Sequence, residues 1–419
     1  MELKIKILTT LLLLCTVQLR AQISLEEYRE QVVDFSLSLR LYDERIASAE
    51  ASYELAQRSL MPSLSIDGSF QQLIESNTTN KSWGFNVSPK ITQVIYDGGG
   101  LRATVKRADI ERDIELCDNL YTLSEVEYAA EYAYWNLMAM GEYLDITNEY
   151  YNTITALEEV VEMRYREGYV SKGDWLMMQT RLSEAIYSKT ASQESYIVAI
   201  HNFNILRGEV DINKKVELTT HISSSPPPKR VPLNQVLNQR ADYTSLLLSE
   251  EYAQKGIALA KSSYNPSLSI GVMGVWQPYL PNITGKTYLS GVVALDISIP
   301  IFNFGARYKA VDVAKRTYNQ SQINTSILSL EITKEESNAW TTLSTQYAQM
   351  NHSNKSLTIA SENLEISTYS YQEGLTTILD VMAAQVSWLQ LYSNAIAAEF
   401  AYMVAVAEYR KVSGEVASY

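Results

Sequence analysis

The sequence predicts a mainly α-helical fold with a small β part, in which one unit is used twice: a helix, a strand pair and a long helical hairpin. Three observations carry this. The 419-residue chain has ten prolines, yet residues 90–225 and 301–419 contain none, which permits helices far longer than three turns. Two stretches headed by the same Pro-Ser-Leu-Ser-Ile segment, at Pro62 and at Pro266, alternate apolar and polar residues as strands do. And Tyr165, Glu167, Gly168, Ser171, Asp174 and Gln179 recur, all at one offset, as Tyr371, Glu373, Gly374, Thr377, Asp380 and Gln385.

The chain opens with Lys4 and Lys6, an apolar run from Ile7 to Val17 and Leu19-Arg20-Ala21 before Gln22, the pattern of a signal peptide over residues 1–21. Its removal leaves Cys117 as the one cysteine, so no internal disulfide framework is expected despite export. Repeat 1 follows, over residues 22–208. Residues 24–60 read as a helix, with Ser24 three residues before Glu27 as a capping box. Strands are expected over about 62–73, where Leu64, Ile66, Gly68 and Phe70 form one face, and about 83–96, from Trp83, Phe85 and Val87 to Tyr96. The polar run from Glu75 to Ser82 joins them as a loop, and Asp97-Gly98-Gly99-Gly100 bends the chain into a helix from Leu101 to Arg166. Leu116, Leu120, Leu123, Ala130, Tyr134, Leu137 and Leu144 mark a heptad stripe there, with Glu127 as its polar break.

Gly168 followed by Ser171 stops that helix in a left-handed cap and starts another, making a hairpin tip near 168. Residues 209–232, with Ser223-Ser224-Ser225-Pro226-Pro227-Pro228, read as an extended linker. Repeat 2, over 233–419, runs in the same order: a helix from Leu233 to about Tyr264, strands over about 266–277 and 288–302, Phe302-Asn303-Phe304-Gly305 answering Tyr96-Asp97-Gly98-Gly99, and a tip near 374. The offset is 204 at the Pro-Ser-Leu-Ser segments and 206 afterwards, so two extra residues fall in the second strand pair, most simply in the 277–287 loop.

Four strands of about ten residues suit a tilted membrane strand, yet four cannot close a barrel. Unpaired edges are not tolerated in lipid, so several chains must share one barrel: two would give eight strands and three would give twelve. Beyond the leader no apolar run reaches the length that a membrane-crossing helix needs, so no transmembrane helix is expected. The net charge of −13 argues against nucleic acid and anionic membrane surfaces as partners.

Enzyme chemistry finds no footing. Gly98-Gly99-Gly100 lacks the spacing of a phosphate loop and reads as a strand-exit bend, and neither a G-x-S-x-G element nor a nucleophilic cysteine arrangement is present. His201, His221 and His352 show no ligand spacing, and Met177, Met178 and Met382 read as packing residues, so no metal and no cofactor are expected. Asp174 and Asp380 also suit plain first-turn acids at helix N-termini. Trp83 and Trp276, within amphipathic strands, suit a membrane-interface girdle.

The duplicated order, the Pro-Ser-Leu-Ser segments, the Phe-Asn-x-Gly strand exit and the Tyr-x-x-Gly turns together resemble the TolC-like outer-membrane efflux proteins, across essentially the whole mature chain. The resemblance implies a homotrimer with an α-helical periplasmic barrel and a shared twelve-stranded β-barrel in outer-membrane lipid. It implies a passive export conduit that works with a periplasmic adaptor and an inner-membrane pump, and it implies that the turns (Gly168, Ser171, Gly374, Thr377) dock the adaptor. By the same likeness Asp380, Tyr371 and Asp174 match positions of gating contacts and of an acidic pore constriction. Thr376 stands where the best-known member has a gating arginine, and Ala383 where it has a second constriction aspartate. The competing reading, from another class, is a soluble periplasmic coiled-coil adaptor or scaffold; it uses the hairpins but has no need of four amphipathic strands.

Overall fold

The computed structural model of the protein describes residues 22–72, 83–219, 226–279 and 288–415. The expected signal peptide, most of the two strand-joining loops and the Ser223-Ser224-Ser225 part of the linker lie outside the described residues.

Helices α1 (Leu25–Phe35) and α2 (Leu37–Arg58) lead into strands β1 (Ser63–Gln72) and β2 (Trp83–Asp97). The hairpin α3 (Gly100–Arg166) and α4 (Lys172–Leu206) follows. The second half repeats the order as α5 (Leu233–Gln239), α6 (Ala241–Ser262), β3 (Ser267–Tyr279), β4 (Tyr288–Ser298), α7 (Ala306–Gln372) and α8 (Ile378–Ser413). With no proline or strong breaker inside them, α3 and α7 each run for 67 residues, roughly 100 Å at about 1.5 Å per residue. Among the described residues no helix is long and apolar enough to cross a membrane.

Two compact units emerge. One takes the residues up to Arg40, Tyr121–Arg240 and the residues from Glu331 onward; the other takes Leu41–Leu120 and Ala241–Leu330. Each unit therefore holds a matched part of both repeats, and α3 and α7 contribute to both units.

The second unit carries the sheet, antiparallel throughout and ordered β1-β2-β3-β4. Leu64 pairs with Ile91 and Leu268 with Ile297, so β3 matches β1 at the first of the two sequence offsets and β4 matches β2 at the second. The expected strand over 288–302 stops at Ser298. The counterpart of its missing end in β2, Gln93–Asp97, is strand because β3 pairs with it; residues 299–303 have no such neighbour among the described residues.

The long first helix expected in each half is broken instead, at Ser36 in the first repeat and at the matching Arg240 in the second. Both residues leave helical geometry, at φ −52°, ψ 114° and φ −75°, ψ 122°. Each break is packed against a glycine far away in sequence. Gly208, at positive φ after α4, sits so close to Phe35 that a Cβ would run into the ring. Gly414, its counterpart in the second repeat, holds the same seat after α8, where a Cβ would come within 2.9 Å of the Gln239 carbonyl carbon.

The first unit is held by aromatic layers. Tyr28 stacks on Phe203 with centroids 3.8 Å apart and donates to its carbonyl, while Tyr134 Oη donates to the Ile23 carbonyl at 3.1 Å. Of the apolar residues of the heptad stripe, Ala130, Tyr134 and Leu137 are buried, whereas Leu116 and Leu120 are exposed in the single chain. Glu127, its polar break, is buried against Arg29 at 3.1 Å. Within the linker expected over 209–232, several peptide groups of the described residues find partners. Leu218 bridges Ile23, Asn204 Nδ2 donates to the Ile212 and Lys214 carbonyls, and Val231 N donates to Tyr409 Oη at 2.8 Å.

Candidate functional site at the two helical turns

Both turns are built by backbone bonds that need a left-handed residue. Gly168 lies at φ +84° and Gly374 at φ +74°. Tyr169 N donates to the Arg164 carbonyl at 2.9 Å and Gly168 N to that of Tyr165; Leu375 N reaches Ser370 at 2.8 Å and Gly374 N reaches Tyr371. These bonds satisfy the last carbonyls of α3 and α7. A Cβ at either glycine would meet nothing within 4 Å, so only the backbone sign calls for glycine there.

The next helices start on hydroxyl residues. Ser171 Oγ accepts from Asp174 N at 3.1 Å and donates to Asp174 Oδ2 at 2.7 Å. At the second turn Asp380 Oδ2 accepts from Thr376 Oγ1 at 2.6 Å, from Thr377 Oγ1 at 2.7 Å and from Thr377 N at 3.1 Å. The Thr376 hydroxyl first, then the Thr377 hydroxyl and N–H, hold the Asp380 carboxyl below the usual carboxylate range. Both aspartates thus do first-turn capping work, and Asp380 is an exposed, fixed negative charge besides.

Tyr371 is tied across to the other hairpin. Arg164 Nη1 donates to Tyr371 Oη at 2.9 Å, and the guanidinium lies 4.9 Å from the ring centre. Tyr165, the counterpart of Tyr371, instead stacks on Trp175 at 5.1 Å and 5°. Beneath these contacts Tyr150, Ile154, Val161, Met178, Ile378 and Met382 of α3, α4 and α8 form one buried cluster, and the half-buried Tyr371 of α7 packs against it, so all four long helices meet at the turns. The structure therefore brings Asp174, Tyr371 and Asp380 to one hairpin pair. Arg164 and Trp175 carry no local motif; at the repeat offset Trp175 corresponds to Val381.

Trp83 and Trp276 sit near the loop ends of the sheet, in the other unit. Trp83 stacks with Phe70 at 6.2 Å, and Trp276 meets Phe85 edge-on at 5.7 Å. The apolar residues Leu64, Ile66, Phe70, Leu289, Val293 and Leu295 of the outer strands are all exposed.

Residues 19–197 and 233–415 match the family described as outer membrane efflux protein. The chain is 22% identical over 393 residues to nodulation protein T of Rhizobium leguminosarum bv. trifolii, covering 86% of this chain and 79% of that protein. Its fold is similar to that of CusC, studied for transmembrane channel formation, with a TM-score of 0.81 at 17% identity over 94% of this chain and 92% of that one. It is similar too to the Campylobacter jejuni CmeC outer membrane channel, with a TM-score of 0.81 at 17% identity over 93% and 85% of the two chains.

Proposed function

The chain belongs to the outer membrane efflux protein family, and on that premise we propose that it is the outer-membrane channel of a tripartite efflux or type I secretion system. Family membership makes it an outer-membrane protein with a periplasmic extension that serves efflux or secretion. The finer reading is a passive conduit: a homotrimer closing one twelve-stranded barrel, with an adaptor at the turns and an inner-membrane pump behind it.

One observation carries it. The four-stranded sheet has two outer strands, β1 and β4, with no partner on their far sides among the described residues. Each unpaired backbone group costs several kcal/mol in lipid, so strands of this length in a membrane need neighbouring copies to complete them. Exposed apolar residues along both outer strands support the same reading, and Trp83 and Trp276 suit its interfacial girdle. In this assembly the repeats at 22–208 and 233–419 supply one hairpin each, joined by 209–232. Gly168, Ser171, Gly374 and Thr377 present the docking surface. Asp380 supplies an acidic ring to the constriction, and Tyr371 and Asp174 supply its gating contacts.

Planar-bilayer recording of the detergent-extracted protein tests this. A cation-selective conductance is expected, because three fixed carboxylates attract cations and repel anions. Asp380→Asn keeps the size and removes the charge, so selectivity should fall, and Asp174→Asn should change it less. Recovery of the protein in buffer without detergent, with no conductance, would favour the soluble scaffold instead. Unchanged selectivity in Asp380→Asn together with its loss in Asp174→Asn would reverse the roles of the two turns.

A further inference from the structure

Ile23 anchors the start of α1. It is 5% exposed and belongs to the core of the first unit, with Tyr28 and Tyr134. Its N–H donates to the Glu217 carbonyl at 3.0 Å, and its own carbonyl accepts from Thr219 N at 3.2 Å and from Tyr134 Oη at 3.1 Å. The next residue, Ser24, caps α1 by accepting from Glu27 N at 3.1 Å. Directly ahead of this seat stands Gln22, which is exposed.

The leader expected over residues 1–21 ends on Ala21, the small residue that its cut requires. A cut there leaves the seat whole and makes Gln22 the first residue. A cut one peptide later would put a charged α-amine on Ile23, at a site almost closed to water, where an ammonium is costly. At a chain start, glutamine carries its own electrophile. Its side-chain amide carbon lies within reach of the α-amine in an unstrained lactam ring, so the two reacting groups are already held together. The unprotonated α-nitrogen attacks Cδ of the amide, and the bond from Cδ to Nε2 breaks. Nε2 leaves as ammonia, taking the proton that the α-nitrogen gives up. No oxidant, reductant or second substrate enters.

We propose that the mature chain begins at Gln22 and that Gln22 is closed to pyroglutamate, a modified end set directly on the Ile23 seat. The ring uses only the α-nitrogen and the side chain of Gln22, so the Gln22–Ile23 peptide and all three bonds of the seat are kept. It needs the side chain to fold back on its own backbone, and the exposure of Gln22 leaves room for that. The product is neutral. It removes an ammonium that would otherwise stand beside a buried residue and two positions ahead of the N-cap of α1, at the positive end of that helix. It also leaves no free α-amine for an aminopeptidase to grip, so the bonded entry to α1 is not trimmed. The second repeat has no counterpart, because its first helix, α5, is entered from the linker. The modification goes beyond the channel reading and is independent of the number of chains.

The test uses the full chain, expressed with its own leader in an exporting bacterium and extracted from the membrane fraction in detergent. Intact-mass spectrometry of the denatured chain should give residues 22–419 less one ammonia. Stepwise N-terminal sequencing should read nothing until pyroglutamyl aminopeptidase has removed the first residue, and then Ile-Ser-Leu. Gln22→Ala should be cut at the same peptide, keep its full mass and read Ala-Ile-Ser without the enzyme. A start at Gln22 with the ammonia retained would overturn the ring. A start at any other residue would overturn the proposal whole. Either result leaves the channel reading standing, because planar-bilayer conductance reports on that separately.

Discussion

The two turns share backbone, caps and spacing, and differ in what their tyrosines hold. Tyr165 stacks on Trp175 of its own hairpin. Its counterpart Tyr371 finds Val381 where Trp175 would be, and reaches across to Arg164 of the other hairpin. One aromatic-to-aliphatic exchange thus separates a tyrosine kept within its own hairpin from one that reaches across to the other. The difference shows how a duplicated element acquires a second role with its fold unchanged: the partner of one repeated side chain is taken away, and that side chain finds another.

The contrast breaks first at Trp175. Trp175→Ala should remove the stack and part of the shared cluster, at a cost of about 2 kcal/mol for a half-buried aromatic. Amide exchange in the first turns of α4 reads this out, with faster exchange there and little change at the start of α8. Equal loosening of both hairpins would mean that the turns are one unit. Gly168→Val and Gly374→Val come next. Each forces a branched residue into left-handed geometry for roughly 1–2 kcal/mol, equally at both turns, because neither has a neighbour within 4 Å. Strand pairing and chain number should be untouched while adaptor docking weakens, which co-purification with the adaptor would reveal; normal export by both variants would sink the docking role. The smallest effect belongs to the Arg164–Tyr371 link. A double-mutant cycle with Arg164→Ala and Tyr371→Phe, which keeps the ring and removes the hydrogen bond, should give a coupling of about 0.5–1 kcal/mol. A coupling of zero would leave Tyr371 as free as a surface residue.

Much of this molecule is legible in its sequence, and the unread parts share a cause. Proline-free runs, alternation after Pro62 and Pro266, and glycine followed by a hydroxyl residue are local signals, and helices, strands and turns are local answers. The helix break at Arg240 carries no such signal, and that at Ser36 only a serine whose Oγ accepts from Leu39 N; the residues just before them, Phe35 and Gln239, lie against Gly208 and Gly414, far along the chain. The link of Arg164 to Tyr371 goes with Val381 standing where the first repeat has Trp175, which only a position-by-position comparison of the repeats exposes. Alternation alone places the end of β4 too late because strand residues need a neighbour, and among the described residues of one chain 299–303 have none. Leu116 and Leu120 continue the heptad stripe in sequence yet stay exposed in the single chain: periodicity reports that a face is apolar, not what covers it.

The glycine seats at Phe35 and Gln239 also have a mechanical consequence. Each lies just past the C-terminus of α4 or α8, and each helix runs 35 or 36 residues from its seat to its turn. Such a helix is a rigid arm of roughly 50 Å with a tight bearing at one end. A pivot of about 6° about that bearing sweeps the far end through about 5 Å, close to one helical pitch. Large travel at the turns therefore asks for almost no displacement at the seats, where the absence of a single Cβ sets the clearance. A methyl group added at Gly208 or Gly414 would act on the fulcrum, and its effect would be magnified along the arm.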